Sequence, residues 1–100
     1  MKTYNLTDSN GELIAFEVSN TLLSRRKAVK VIEKLNGVEI LKRPKWFSFK
    51  NQDVFCEFVY EGTTYQIEEP WGDNSRYWIG PKSKGPNNKV GEILECFNNG

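Results

Sequence analysis

Residues 54–60 read Val-Phe-Cys-Glu-Phe-Val-Tyr, and a Glu61-Gly62-Thr63 turn leads directly into Thr64-Tyr65-Gln66-Ile67-Glu68-Glu69. In the first run Val54, Cys56, Phe58 and Tyr60 share one side of a two-residue period, and in the second Tyr65 and Ile67 do the same. Two such runs joined by a tight turn specify an antiparallel hairpin with one apolar face. A hairpin of this kind needs a second layer to cover that face, which excludes a purely helical bundle and a parallel sheet. The rest of the chain must supply the cover.

Two segments have the period to do so. Ala28, Val31, Ile32 and Leu35 recur at i, i+3, i+4 and i+7, predicting a helix that runs to about Leu35, with Ser19-Asn20-Thr21 and Ser24 as capping candidates and Asn36-Gly37 ending it. Val90, Ile93, Leu94 and Phe97 predict a second helix over 89–98, weakened by Gly91. Before the first helix, Tyr4 and Leu6 and then Ile14, Phe16 and Val18 alternate around Asp8-Ser9-Asn10-Gly11, the pattern of another hairpin. On this pattern Leu13, Ala15 and Glu17 take the opposite face. Short strands are expected over 38–41 and 76–79, an edge strand around Trp46, Phe47 and Phe49, and a loop over 80–88. The fold expected is α+β: one small domain of 100 residues with an antiparallel sheet of about five strands, two helices on one face, and the order ββα-βββ(β)-α.

The chain has no histidine, so it cannot build a Ser-His-Asp triad, a Cys-His pair or a histidine metal site from its own residues. Cys56 and Cys96 are too few for a zinc site and sit among apolar neighbours, as buried reduced thiols do. Glu68, Glu69, Asp73 and Asn74 lack the spacing of a calcium loop, and adjacent carboxylates on a strand point to opposite faces, which does not suit a hydrolytic pair. No enzyme activity, metal or cofactor is expected. Met1-Lys2-Thr3-Tyr4-Asn5 opens no apolar leader and no run is long enough to cross a bilayer, so the location expected is cytoplasmic, with no membrane partner.

A net charge of +1 conceals a strong segregation. Residues 25–45 hold eight basic and two acidic side chains, a local charge of +6, while the remainder holds six basic and eleven acidic ones, a charge of −5. Arg26, Lys27, Lys30 and Lys34 fall within an arc of about 100° opposite the apolar stripe. Like charges at i,i+4 and cations at a helix start both work against the helix, so this arrangement is a candidate docking face. Arg25, Arg26, Lys27, Lys30 and Lys34 are the residues expected to meet an anion or an acidic partner.

The acidic complement, Glu57, Glu61, Glu68, Glu69 and Asp73, falls within seventeen residues of the central hairpin. A second candidate is the segment from Glu68 to Trp78. Trp71, Arg76, Tyr77 and Trp78 supply residue types enriched at binding hot spots. Together these features point to a non-enzymatic interaction protein, monomer or homodimer, with a protein partner. The alternative is a nucleic-acid-binding domain using the basic helix and Lys45-Trp46-Phe47-Ser48-Phe49-Lys50. A helix, three antiparallel strands and a helix resembles the order of double-stranded-RNA-binding modules. That resemblance implies a basic cluster at the start of the second helix, here Lys82, Lys84 and Lys89. No RNP-type or GXXG motif accompanies it.

Overall fold

The computed structural model describes residues 1–44, 54–69, 75–83 and 89–99. Among them the chain forms β1 (Thr3–Thr7), β2 (Leu13–Ser19), α1 (Arg25–Ile32), β3 (Glu39–Lys42), β4 (Val54–Tyr60), β5 (Thr63–Glu68), β6 (Arg76–Pro81) and α2 (Val90–Asn99). The expectation around Trp46, Phe47 and Phe49 lies outside the described residues. The strands build one six-stranded sheet in the order β1-β2-β6-β5-β4-β3, every neighbouring pair antiparallel. The class is the one expected, with six strands in place of about five, and the optional fourth strand between the helices is present. The chain leaves β2 through α1 for the far edge and returns strand by strand until β6 docks against β2.

Local chemistry sets the turns. Asp8 accepts hydrogen bonds from the backbone N–H groups of Asn10 and Glu12 at 2.8 and 3.0 Å, closing the first turn. Glu61 and Gly62 both have positive φ, 51° and 79°, as a two-residue hairpin loop matched to strand twist requires.

Both helices cover one face of the sheet, and one core results. Phe16, Val18, Cys56, Phe58, Tyr65, Ile67 and Ile79 from the sheet lie fully buried beneath Ala28 and Ile32 of α1 and Ile93 and Phe97 of α2. Phe16 meets Phe97 edge-on with ring centroids 5.6 Å apart, and Phe58 stacks on Tyr65 at 5.4 Å. Val29, outside the expected stripe, is buried too.

Three irregularities interrupt the ladders, and inward–outward alternation fails at two of them. The β1–β2 register shifts between Leu6 and Thr7, which pair with Ala15 and Leu13, so Ile14 is an extra residue. Ile14 is therefore exposed and Leu13 packs on the core, the reverse of the simple period. A one-residue excess also falls at Leu41 in β3, where burial still alternates and Leu41 stays exposed beside the inward Ile40. In β4 it turns Phe55 inward, where its ring lies 5.1 Å from Tyr77. The expected loop over 80–88 also begins later, because Gly80 and Pro81 extend β6. Pro81 is tolerated because β2 pairs with β6 only from Arg76 to Ile79, so no ladder partner there needs its missing N–H.

Candidate functional site

The helix α1 starts where Ser24, in extended conformation, accepts a hydrogen bond from the Lys27 backbone N–H at 3.2 Å. Its first turn carries no acid. Ala28, Val29, Val31 and Ile32 drive it onto the sheet, which forces Arg26, Lys27 and Lys30 outward. Beyond the helix a tightened turn, in which the Lys34 N–H donates to Val31 at 3.2 Å, keeps Lys34 exposed as well.

The basic residues then divide by role. Arg25 lies half-buried, its Nε and Nη2 both donating to Glu69 Oε1 at 3.0 and 2.7 Å, with its guanidinium 4.9 Å over the Phe55 ring. It fastens the start of α1 to the end of β5. Arg43 donates to Glu33 at 2.7 Å and joins the helix end to the segment after β3, an exposed pair. Arg26 is also engaged within the molecule. Among the described residues Lys27, Lys30 and Lys34 form no ion pair.

These three lysines border a groove of about 670 Å³ between α1, the β2–α1 connection and the chain's first residues. Lys2 also lines it, with its ammonium 5.5 Å from the centre of the Tyr4 ring, and Met1, Leu22, Leu23 and Val31 supply apolar lining. Leu22 is 89% exposed. Leu23, just before the cap, is buried in the core with Ala28, so Leu22 is turned the other way. Lys2 and Leu22 escape the periodicity of the sequence. A leucine pair immediately before a helix cap, one member anchoring and the other left outside, was the available signal for Leu22. Lys2 comes close only because β1 pairs with β2, the Ser19 N–H donating to the Lys2 carbonyl at 3.0 Å.

The aromatic segment does not gather into one surface. Tyr77 points into the core at 4% exposure, and burial raises its pKa above the usual phenol value, with Glu69 adding to the rise. Arg76 and Trp78 point to the opposite, uncovered face of the sheet. Arg76 lies 3.5 Å over the Tyr4 ring and 3.3 Å from Glu17. Trp78 stands between Glu17 and Glu68 on the adjoining strands, its ring over Gly80. Trp71, Asp73 and Asn74 lie outside the described residues. The lysine groove and the Arg76–Trp78 surface are therefore on opposite sides of the sheet.

Glu68 and Glu69 part as well, Glu68 opposite Trp78 and Glu69 to Arg25. Lys82 pairs with Glu57 at 3.0 Å and Lys89 with Glu92 at 3.5 Å, so two of the cations expected to form a nucleic-acid cluster have acids of their own. Cys56 is free and fully buried, its thiol pushed up to about 12 by desolvation, while Cys96 is free, half-buried and raised for the same reason. Among the described residues no group of three or more cysteines and carboxylates could hold a metal, and no helix is long and apolar enough to cross a membrane. No protein-family model matches the chain, and comparison with curated proteins and with solved structures gives no match either.

Proposed function

We propose that this chain is a non-enzymatic interaction module that docks an acidic protein partner on the lysine face of α1. The observation that carries this reading is the groove itself: Lys27, Lys30 and Lys34 border its apolar lining and form no ion pair among the described residues. Like charges held three and four residues apart destabilise a helix by a few tenths of a kcal/mol per pair, and an anionic partner reverses the sign of each contribution. Such a face speeds encounter by steering, while the apolar floor supplies what survives at physiological salt. Nucleic acid fits less well, since its backbone rewards phosphate contacts and leaves Leu22 and Met1 without a counterpart.

The test compares wild type with the Lys27→Glu/Lys30→Glu/Lys34→Glu variant for binding to an acidic, leucine-containing peptide and to a single-stranded oligothymidine. The peptide should bind wild type, and the variant should lose at least about tenfold in affinity. Oligothymidine binding tighter than peptide binding at physiological salt would refute the protein-docking reading in favour of nucleic acid.

A further inference from the structure

Independently of that docking face, we infer that two copies of this chain pair through the outer edge of β1, antiparallel and centred on Asn5. β1 and β3 are the two edges of the sheet. Soluble proteins blunt such edges with charges, proline, bulges or brevity. β3 is guarded in this way: Glu39–Lys42 is four residues long, bears a charge at each end and carries the extra residue at Leu41. β1 lacks these guards. Thr3-Tyr4-Asn5-Leu6-Thr7 is uncharged and free of proline, and the irregularity beside it is the extra Ile14 of β2.

The backbone fixes which groups the edge offers. The Ser19 N–H donates to the Lys2 carbonyl at 3.0 Å, and the Asp8 N–H donates to the Glu12 carbonyl at 2.9 Å. The even-numbered residues from Lys2 to Asp8 therefore turn their backbone groups toward β2, and Thr3, Asn5 and Thr7 turn theirs outward. Among the described residues these outward groups have no backbone partner. An antiparallel copy centred on Asn5 sets Thr3 opposite Thr7 and Asn5 opposite its own equivalent, each pair exchanging both hydrogen bonds. The two six-stranded sheets then continue into one another.

The flanking charges select a second copy as the occupant. In this register Lys2 falls opposite Asp8 of the second copy, and the two-fold axis repeats that pair at the other end. Lys2 is exposed and forms no ion pair among the described residues. Asp8 uses the same oxygen, Oδ1, for both of its turn bonds. Between the charges, the half-buried Tyr4 and Leu6 fall opposite Leu6 and Tyr4. A slide of one residue sets outward groups against inward ones. A slide of two parts Lys2 from Asp8 and leaves one of the three outward residues unmatched within the strand.

Sedimentation velocity of the full chain from about 10 μM to about 1 mM tests this. One short strand pair buries less than ~1,200 Å², so the dimer should emerge in the upper part of that range. Asn5→Lys should fold, because Asn5 is exposed, and should weaken the dimer at least about tenfold, because two ammonium groups meet at the axis. Asn5→Pro removes only an outward N–H and serves as the second variant. Lys2→Glu should weaken the dimer about threefold or more, while Leu41→Lys on β3 should leave it unchanged. Circular dichroism confirms the fold of each variant. A chain still monomeric at about 1 mM, or a dimer undiminished by both Asn5 variants, overturns the inference. Loss with Leu41→Lys instead overturns the choice of edge, and indifference to Lys2→Glu overturns the register. None of these outcomes bears on docking at the lysine face of α1.

Discussion

Gly80 offers the sharpest quantitative test of the sheet. It lies near the end of the central strand β6 with an ordinary strand backbone, so replacement by alanine would by itself gain roughly 0.5–1 kcal/mol from lost chain entropy. The surroundings reverse that sign. A Cβ at Gly80 would lie 2.6 and 2.8 Å from Cη2 and Cζ2 of Trp78 and 2.9 Å from Cβ of Ala15. Carbon pairs prefer ~3.5–4.0 Å, so each contact is short by most of an ångström. Trp78 can swing toward solvent, but Ala15 Cβ is fixed to the β2 backbone and is itself buried. Overpacking of this kind costs typically 1–3 kcal/mol, which leaves Gly80→Ala about 1–2 kcal/mol less stable than wild type. For a domain of this size the melting temperature falls by roughly 5–15 °C. Urea unfolding of Gly80→Ala, Trp78→Ala and the double variant reads both the loss and its origin. The double variant should be more stable than the two single losses added together predict, by about 1 kcal/mol, because the ring is no longer there to collide. A Gly80→Ala protein as stable as wild type, or single losses that simply add, would refute the packing described for this face.

Glu61 occupies a left-handed position that asparagine adopts more readily, so Glu61→Asn should raise stability by about 0.5–1 kcal/mol in thermal unfolding; an unchanged melting temperature would contradict the turn geometry. Arg25→Ala should lose about 1–2 kcal/mol because it removes a forked, half-buried contact and a guanidinium over Phe55, whereas Arg43→Ala should stay within about 0.5 kcal/mol; equal losses in denaturant titrations would upset that division. Stability should be level up to about pH 9 and fall above it. The Cys56 thiol has its pKa raised from 9.0 to about 12, so between those values the unfolded chain gives up a proton that the folded chain keeps. At ~1.4 kcal/mol per unit the fall is at most about 4 kcal/mol, with buried Tyr60 and Tyr77 adding to it at the alkaline end. Urea unfolding between pH 8 and pH 11 should show Cys56→Ala with a shallower decline, and parallel declines would exclude the thiol as a cause.

What could be read from the chain was local. The turns at Gly11, Gly37 and Gly62, the Ser24 cap and both apolar stripes follow from residues within a few positions of each other, and all three glycines have positive φ. Strand order was not legible, because nothing in β6 marks that it must pair with β2 as well as with β5. The bulges were hidden for a related reason: one extra residue at Ile14 or Phe55 reverses the inward and outward positions, and it shows only in the pairing with the neighbouring strand. The lysine row was visible as a helical stripe. The separate fate of Arg25 was not, since Phe55 and Glu69 reach it only through the fold. Tyr77 and Trp78 show the converse, where adjacency suggests one surface and strand geometry places them on two.

The place of β6 between β2 and β5 bears on how this chain emerges from a ribosome. The N-terminal hairpin and α1 are synthesised early, yet the inner rim of β2 has no neighbour until Pro81 has left the exit tunnel. Until then two open rims wait side by side, and the last strand closes the gap between them like the final stave of a cask. A nascent chain halted after β5 therefore offers chaperones and stray strands the very edges that the finished molecule conceals.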